Sequence, residues 1–387
     1  MAVKKRRKKN FRFYLLLIIL CIICFFLISK GLSYLTTSQT ERDLQKLNYS
    51  DKGISLIINN KLDKYLINNK IYSKTLEVAL EEGQYESDLL ETYIDLPYKD
   101  SDNYINQINK LSTIGYKTTD IEKIFKTLSN SDINLVIKKD ALIDNLVSYI
   151  DDDNFNINNL DRYVSYQAKH TKDGYSDIIS YVNMYLDYPY YQHDINVTDP
   201  NNLLVIVNKY YKLSSTFVPK GLTSISTKYA VDNQRFVIPV VKENFEKMAA
   251  DMVKLGMTIK AKSAYRSYQT QVDLYNDYVK ASGKDAADTF SARAGYSEHQ
   301  TGMAVDVKGS NDNYSTFETT PEYKWMKQNA YKYGFILRYP SDKTDITGYK
   351  FESWHFRYVG NDVAKYIYDH NITFDEYYAM FVANKKD

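Results

Sequence analysis

The stretch SEHQTGMAVDV, from Ser297 to Val307, places His299 and Asp306 seven residues apart around a glycine. Gly302 permits a tight bend between the two residues. The alternation in MAVDV predicts a strand on which Asp306 faces opposite to its valine neighbours. An aspartate buried between valines is costly unless it is paired or bound to a metal ion. The stretch is therefore either an ordinary turn into a strand or the site of two candidate metal ligands, His299 and Asp306.

A candidate for a third ligand lies in the stretch FESWHFRYV, where Glu352 precedes His355 by three residues. Residues three apart on a regular strand face opposite sides, so both side chains reach one site only if the strand bends or ends there. Both cysteines of the chain lie within residues 13–29, which leaves His, Asp and Glu as the metal ligands available elsewhere. Metal-activated hydrolysis needs three such ligands and one open position for water.

These stretches, in this order and with SAYRSYQTQ upstream, resemble the D-alanyl-D-alanine carboxypeptidase family of zinc peptidases. That family includes vancomycin-resistance DD-carboxypeptidases and LD-carboxypeptidases of cell-wall tetrapeptides. Its S-x-H-x-x-G-x-A-x-D pattern matches Ser297–Asp306 without a gap, and a second family pattern matches Glu352, Trp354 and His355. The resemblance covers about residues 203–381, slightly under half of the chain.

The resemblance implies that His299, Asp306 and His355 bind one Zn²⁺ in the catalytic domain and that Glu352 is the general base. The chemistry is coherent, because two neutral imidazoles and one carboxylate leave Zn²⁺ with a positive charge. That charge can polarise a carbonyl group and lower the pKa of water. Glu352 is not needed as a ligand, so it can take the proton of water and return it to the leaving amine.

Three further residues receive roles from the resemblance. Arg266 resembles the family arginine that stabilises the developing oxyanion, a task suited to a permanently charged guanidinium. Gln271 and Ser297 match positions that contact the substrate near its terminal carboxylate. The alternatives are a surface salt bridge for Arg266 and a turn cap for Ser297.

The amino-terminal region indicates a membrane anchor. Residues 1–12 contain seven Lys or Arg and no acidic residue, and residues 13–29 contain no charge. This pattern predicts a basic cytoplasmic tail at 1–12 and an uncleaved signal anchor at 13–32, because no small-x-small cleavage site follows. The alternative is a cleaved signal peptide. The positive-inside rule then predicts a single-pass protein of the cell membrane with its catalytic domain outside the cytoplasm.

The charge of the remaining chain argues against a nucleic-acid partner. Without residues 1–12 the chain has 43 basic and 48 acidic residues, a net charge of −5. A nucleic-acid-binding protein would spread basic residues over its folded part. We therefore expect no nucleic-acid binding.

Residues 33–200 read as short amphipathic helices with internal similarity. YIDLPY at 93–98 is echoed by YLDYPY at 185–190, and LQKLNYSDKGISLI at 44–57 by LSTIGYKTTDIEKI at 111–124. Such similarity predicts a helical array in which each unit buries its face on the next. The region could be a stalk that holds the next domain away from the membrane or a docking surface, and the sequence does not indicate its protein partners.

Residues 201–387, which follow a loop signalled by Pro200, mix helix and strand without a regular βαβ alternation. This mixture predicts an α+β domain with a small antiparallel sheet flanked by helices. The predicted elements are a helix at 245–256, a half-buried strand at 257–265, a helix capped by Ser267, a helix that begins at Thr320–Pro321 and ends at Gly334, and strands in FILRY and YKFESWHFRYV.

These observations predict a membrane-anchored zinc carboxypeptidase that removes D-alanine from peptidoglycan stem peptides outside the cytoplasm. A DD-carboxypeptidase is favoured. An LD-carboxypeptidase acting on tetrapeptides is the alternative within the same class, and an endopeptidase is a more distant one. The alternative from another class is a non-catalytic wall-binding protein that retains the fold, although such a protein has no need of Glu352 beside the metal.

Overall fold

The computed structural model describes residues 14–23, 25, 38–310, 314 and 316–383. Its contacts divide the chain into two units, Met1–Ile150 and Asp151–Asp387. Residues 151–200, which the sequence assigns to the helical region, pack with the second unit.

The predicted membrane anchor is only partly described. Residues 14–23 are helical, whereas the basic tail and residues 13, 24 and 26–32 fall outside the described residues. In the described part of the chain, no helix combines the length and the hydropathy that a membrane span requires.

The first unit is helical over residues 39–150, as the sequence predicts. Several of its helices begin at serine caps, and the Ser38 hydroxyl and the Glu41 carboxylate form a reciprocal capping box. The helices are Gln39–Lys46, Asp51–Asn59, Asp63–Asn69, Lys74–Glu81, Leu90–Asp95, Tyr104–Ile114, Thr118–Thr127, Asn130–Lys138 and Leu146–Tyr149, with a 3₁₀ turn at Ser87–Leu89.

One of the two predicted echoes corresponds to a structural repeat. Tyr49 and Tyr116, 67 residues apart, each precede a helix, and both side chains are buried. The Tyr49 hydroxyl accepts a hydrogen bond from the backbone of Ser73, and the Tyr116 hydroxyl accepts one from the backbone of Ile143. The buried tyrosine therefore makes the same kind of backbone hydrogen bond in both copies of the repeat.

The other echo is not a structural equivalence. Tyr93 lies inside a helix, whereas Tyr185 has a left-handed backbone (φ 65°) after a helix. The counterpart of Tyr93 is Tyr163, because each hydroxyl donates to a buried asparagine, Asn109 at 2.7 Å and Asn183 at 2.6 Å. Each of these two tyrosine rings also packs on an aromatic ring eight residues earlier, at 5.9 and 5.8 Å between centroids.

The second unit combines helices with three small sheets. Its helices are Leu160–Gln167, Tyr175–Asn183, Pro239–Lys254, Tyr268–Ser282, Lys284–Ala287, Pro321–Asn329, Thr344–Thr347, Asn361–His370 and Phe374–Phe381. Its 3₁₀ turns are Ile157–Asn159, Glu298–Thr301, Phe317–Thr319 and Ala330–Tyr333. The predicted cap at Ser267 is formed, and the helix predicted to begin at Thr320–Pro321 is capped by the Thr320 side chain.

The strands of the second unit are short. They are β1 (Ile195–Asn196), β2 (Tyr211–Lys212), β3 (Thr223–Ser224), β4 (Phe236–Val237), β5 (Lys260–Ser263), β6 (Ala304–Lys308), β7 (Phe335–Leu337) and β8 (His355–Tyr358). Strands β1 and β2 pair in parallel, and β3 pairs with β4 antiparallel. The main sheet is antiparallel in the order β5-β6-β8-β7, which confirms the predicted α+β class.

The main sheet packs on the helix Pro239–Lys254. Buried residues of that helix, among them Phe245 and Met252, share one apolar cluster with Val305 of β6 and Phe356 of β8. Burying a side chain of this size stabilises a fold by about 1.5–3 kcal/mol. This cluster packs against one face of the sheet, and the polar side chains of Asp306 and His355 lie on the other face.

Contacts within and around residues 188–212 connect the amino-terminal part of the second unit to its later residues. The Lys209 ammonium group donates to the backbone carbonyls of Asp288 and Gly348. The same ammonium group lies 4.6 Å from the ring centre of Tyr190 and 4.4 Å from that of Tyr349. These contacts, together with the β1–β2 pair, explain why residues 151–200 belong to this unit.

Candidate active site

The register of the main sheet brings two predicted ligands together. Asp306 on β6 lies directly opposite His355, the first residue of β8. On the other side of β6, a register shift in β5 between Ala261 and Ser263 places Ser263 opposite Asp306. In the sheet, Asp306 therefore lies between Ser263 on β5 and His355 on β8.

A turn before β6 brings in the third ligand. His299 lies in the 3₁₀ turn Glu298–Thr301, which ends at Gly302 with φ 68°. This left-handed backbone favours glycine, as the sequence predicts. Nδ1 of His299 lies 2.7 Å from the carbonyl oxygen of Ala264, a distance that fits a hydrogen bond from a protonated Nδ1. Its Nε2 is then unprotonated and can bind a metal ion.

The three side chains fit a zinc ion. Oδ1 of Asp306 lies 3.1 Å from Nδ1 of His355 and 3.4 Å from Nε2 of His299. A tetrahedral ion with bonds of about 2.0–2.1 Å holds its ligand atoms about 3.3 Å apart. Oδ1 is buried, and among the described residues it has no hydrogen-bond partner. A buried acceptor without a partner is costly, and a cation bound between Oδ1 and the two imidazoles would compensate for it.

The charges of the site favour a cation. Burial alone would raise the pKa of Asp306, but the imidazoles of His299 and His355 outweigh burial and keep the pKa well below its usual range. Burial lowers the pKa of His355, but the carboxylates of Asp306 and Glu298 outweigh burial and raise it to about 9. The site therefore stabilises a bound positive charge, which can be either a proton or a metal ion.

Glu352 lies beside the ligands without belonging to the set. The strand predicted through this region begins only at His355, after a turn at residues 353–354, so the predicted interruption between Glu352 and His355 is present. Oε2 of Glu352 is 3.5 Å from Nδ1 of His355, and the Glu352 backbone donates to the Tyr339 carbonyl. Burial, followed by the charge of Asp306, raises the pKa of Glu352 to about 8. Such a group can exchange a proton near neutral pH.

Arg266 is held over the same site by two side chains. Its guanidinium donates to Oε1 of Gln271 at 2.7 Å and to Oγ of Ser263 at 3.1 Å, and it lies 3.9 Å from Oδ2 of Asp306. The amide nitrogen of Gln271 donates to the Ala292 carbonyl, and the residue is buried. Gln271 therefore contacts Arg266, whereas its predicted contact with substrate stays a prediction.

These residues line one cavity of about 590 Å³. Ser297 lies in its wall, and its side chain does not cap the following turn. The structure thus places all seven predicted residues at one site. Aromatic side chains form much of the remaining wall, namely Tyr278, Phe290, Tyr314, Tyr339, Tyr349, Phe351 and Trp354.

Comparison with known proteins agrees with this arrangement. The family model described as VanY, D-alanyl-D-alanine carboxypeptidase, matches residues 234–361. The putative carboxypeptidase YodJ of Bacillus subtilis is 37% identical over 47% of this chain and 69% of its own length. VanXYC of Enterococcus gallinarum, a bifunctional D-Ala-D-Ala dipeptidase and carboxypeptidase, is 32% identical over 46% of this chain and 94% of its own length.

The chain belongs to the VanY family. Among solved structures, a variant of the vancomycin-resistance D,D-pentapeptidase VanY in complex with Zn(II) is 31% identical and covers 45% of this chain and 97% of its own, with a TM-score of 0.40. The family model and the curated relatives confirm the predicted family and the predicted enzyme class, a peptidase of the D-alanyl-D-alanine carboxypeptidase type. The matched region of this VanY-family chain contains the three predicted metal ligands, the predicted base and Arg266.

A buried ion network behind the ligands was not predicted. Glu298 accepts hydrogen bonds from Arg338 at 2.8 Å and Arg357 at 3.0 Å, and Arg338 also pairs with Asp375 at 2.6 Å. All four side chains are buried. The available signal was an arginine inside each of two apolar strand sequences, FILRY and HFRYV, because a buried arginine requires acidic partners.

We expect zinc to stabilise this VanY-family chain through Asp306. Free Zn²⁺ at one hundred times its dissociation constant should raise the free energy of unfolding by about 2.7 kcal/mol. For a unit of this size that is about 5–10 °C in Tm. Scanning calorimetry of the full chain during a zinc titration measures the shift.

Asp306→Asn should remove this shift because a neutral amide is a poor zinc ligand. Asp342→Asn, at an exposed position, is the matched control and should retain it. A full zinc-dependent shift in Asp306→Asn would contradict the ligand assignment.

Proposed function

We propose that the chain is a membrane-anchored carboxypeptidase that removes the terminal D-alanine from peptidoglycan stem peptides by zinc-assisted attack of water. The observation that carries the proposal is the set of His299, Asp306 and His355, with Glu352 beside it and not in it. A metal site with a separate buried carboxylate is the arrangement that hydrolysis requires.

Each side chain has a distinct part in the proposed reaction. Zn²⁺, when held by the two histidines and the aspartate, polarises a peptide carbonyl and lowers the pKa of a water molecule. Glu352 accepts a proton from the attacking water and delivers it to the leaving amine. Burial supports this role, because it raises the pKa of Glu352 to about 8, and a group with such a pKa can both accept and release a proton near neutral pH.

Arg266 is the proposed stabiliser of the oxyanion. Its guanidinium cannot lose its proton near neutral pH, and its fork of donors matches a charged oxygen. Two of its donor atoms are occupied by Gln271 and Ser263, which hold the group in place before substrate arrives. Preorganised donors of this kind contribute strongly because they need no reorientation during the reaction.

The DD bond is the favoured target. The matched family is described as D-alanyl-D-alanine carboxypeptidase, and the VanXYC relative is named for activity on D-Ala-D-Ala. Cleavage of the LD bond of a tetrapeptide is the alternative, because both reactions use the same metal chemistry and differ only in how the pocket receives the preceding residue.

The proposed location is the outer face of the cell membrane. The uncharged residues 13–29 after the basic residues 1–12 support an anchor of this orientation. Peptidoglycan stem peptides in their final place also lie outside the membrane.

Glu352→Gln should lower kcat on a pentapeptide substrate by about 10²–10⁴-fold, because the amide cannot accept the proton of water. The measurement is mass spectrometry of muropeptides incubated with the full chain, with and without a chelator. Release of one alanine from pentapeptide identifies a DD enzyme, and release from tetrapeptide identifies an LD enzyme.

Glu318→Gln is the control, since Glu318 is exposed and does not line the cavity. A zinc-loaded, folded wild-type chain that leaves both peptides unchanged would refute the proposed reaction. The non-catalytic wall-binding alternative would then be favoured.

Gln271→Met separates two roles for this residue. If Gln271 acts by holding Arg266, kcat should fall about tenfold with little change in KM, because part of the oxyanion stabilisation is lost. If it binds the substrate, KM should rise instead. Steady-state kinetics decide between the two, with Gln269→Met, an exposed position on the same helix, as the control.

The proposed location predicts that protease added to intact cells lacking their wall digests the catalytic unit. Protection of the unit until the cells are lysed would contradict this orientation. A cytoplasmic marker protein, which must stay intact in the same sample, reports on lysis.

A further inference from the structure

We propose that Glu298 is a positioning residue that fixes the ring of His355 so that Nδ1 faces the metal. The inference rests on the metal-binding part of the proposed function and not on the peptide that is cleaved. Glu298 is adjacent to His299 in the 3₁₀ turn, yet it acts on the other predicted histidine ligand, His355, which begins strand β8.

The two oxygens of the Glu298 carboxylate have different surroundings. Oε1 accepts hydrogen bonds from both arginines of the buried network. Oε2 is buried and has no hydrogen-bond partner among the residues that the structure describes. It lies 3.5 Å from Nε2 of His355, which is also buried and unpartnered in that part of the chain. The two atoms form a donor and acceptor pair if Nε2 carries the proton.

The arginines prevent the carboxylate from turning away. Arg338 is held by Asp375, which in turn accepts a hydrogen bond from Asn208. Arg357 donates to the backbone carbonyls of Leu203 and Val205. All the groups that surround Oε1 are therefore anchored, which leaves Oε2 facing His355.

The chemistry of a ligand histidine requires such a partner. A neutral imidazole carries one proton, and Nδ1 of His355 is the atom 3.1 Å from the Asp306 carboxylate. The proton therefore belongs on Nε2, where Glu298 can accept it. Carboxylates in this position orient the ring and make it a stronger ligand, and their loss typically costs 10–100-fold in metal affinity.

The two histidine ligands are thus held in opposite tautomers. The Ala264 carbonyl accepts the Nδ1 proton of His299 and leaves its Nε2 for the metal. Glu298 accepts the Nε2 proton of His355 and leaves its Nδ1 for the metal. A backbone carbonyl performs the first task, whereas the second requires a charged side chain that must itself be neutralised inside the protein.

Glu298→Gln tests the proposal through metal affinity. The amide cannot accept hydrogen bonds from the arginines on one side and from His355 on the other, because one of its two ends is a donor. We expect the variant to bind Zn²⁺ 10–100-fold more weakly than the wild-type full chain, measured by competition with a chromophoric chelator and without any peptide.

Glu318→Gln is the matched control. It makes the same substitution at an exposed position outside the cavity and outside the buried network, so its zinc affinity should stay within about threefold of wild type. Equal zinc affinity in Glu298→Gln and wild type would overturn the proposal while leaving the peptidase function intact. Failure of the wild-type chain to bind zinc would overturn both.

A measurement on the wild-type chain covers the case in which Glu298→Gln does not fold. Long-range ¹⁵N–¹H correlation spectra of the zinc-loaded protein report which ring nitrogen of each histidine carries a proton. We expect a proton on Nε2 of His355 and on Nδ1 of His299. A His355 ring without a proton on Nε2 would overturn the proposal.

Discussion

The negative charge of Asp306 is the constraint on which the rest of the site depends. The side chain is buried on β6 between two valines, where an uncompensated carboxylate would cost several kcal/mol. Its neighbours are two imidazoles and, at 3.9 Å, the Arg266 guanidinium. The sheet register, the bulge in β5 and the turn at Gly302 each serve to bring one of these groups within reach. The cation that Asp306 needs is thus the same cation that would activate water.

A second buried carboxylate lies behind the first, and it is compensated differently. Glu298 is neutralised by two arginines and needs no metal ion. Buried ion pairs add little net stability compared with apolar side chains of the same volume, so stability is a weak reason for keeping one. Directional control of a neighbouring ring is a better reason. The proposed site therefore separates two tasks: the first carboxylate would bind the cation, and the second would orient a ligand of that cation.

Local patterns in the sequence were sufficient for the helix caps, because each cap depends on residues close together in the chain. The metal ligands and the base were predicted from two separate motifs through a family resemblance, and the structure brings these residues to one cavity. The interruption before His355 could be predicted since Glu352 and His355 could not otherwise share a site. The acidic partner of Arg338 could not be predicted from the sequence. Glu298 is forty residues away, and only the folded sheet brings the two side chains together. The contact of Gln271 with Arg266 spans only five residues, but it depends on how the chain turns between β5 and the helix Tyr268–Ser282, which the sequence pattern does not specify. The association of residues 151–200 with the second unit depends on distant contacts of Lys209.

Two buried tyrosine contacts recur in the helical region, and their recurrence bears on how the region arose. Tyr49 and Tyr116 lie 67 residues apart, and Tyr93 and Tyr163 lie 70 residues apart, with matching partners in each pair. This is the signature of a tandem duplication followed by divergence. Unequal recombination between such copies adds or deletes a whole copy, so the length of this region should vary among natural relatives in discrete steps, which a comparison of their chain lengths can test.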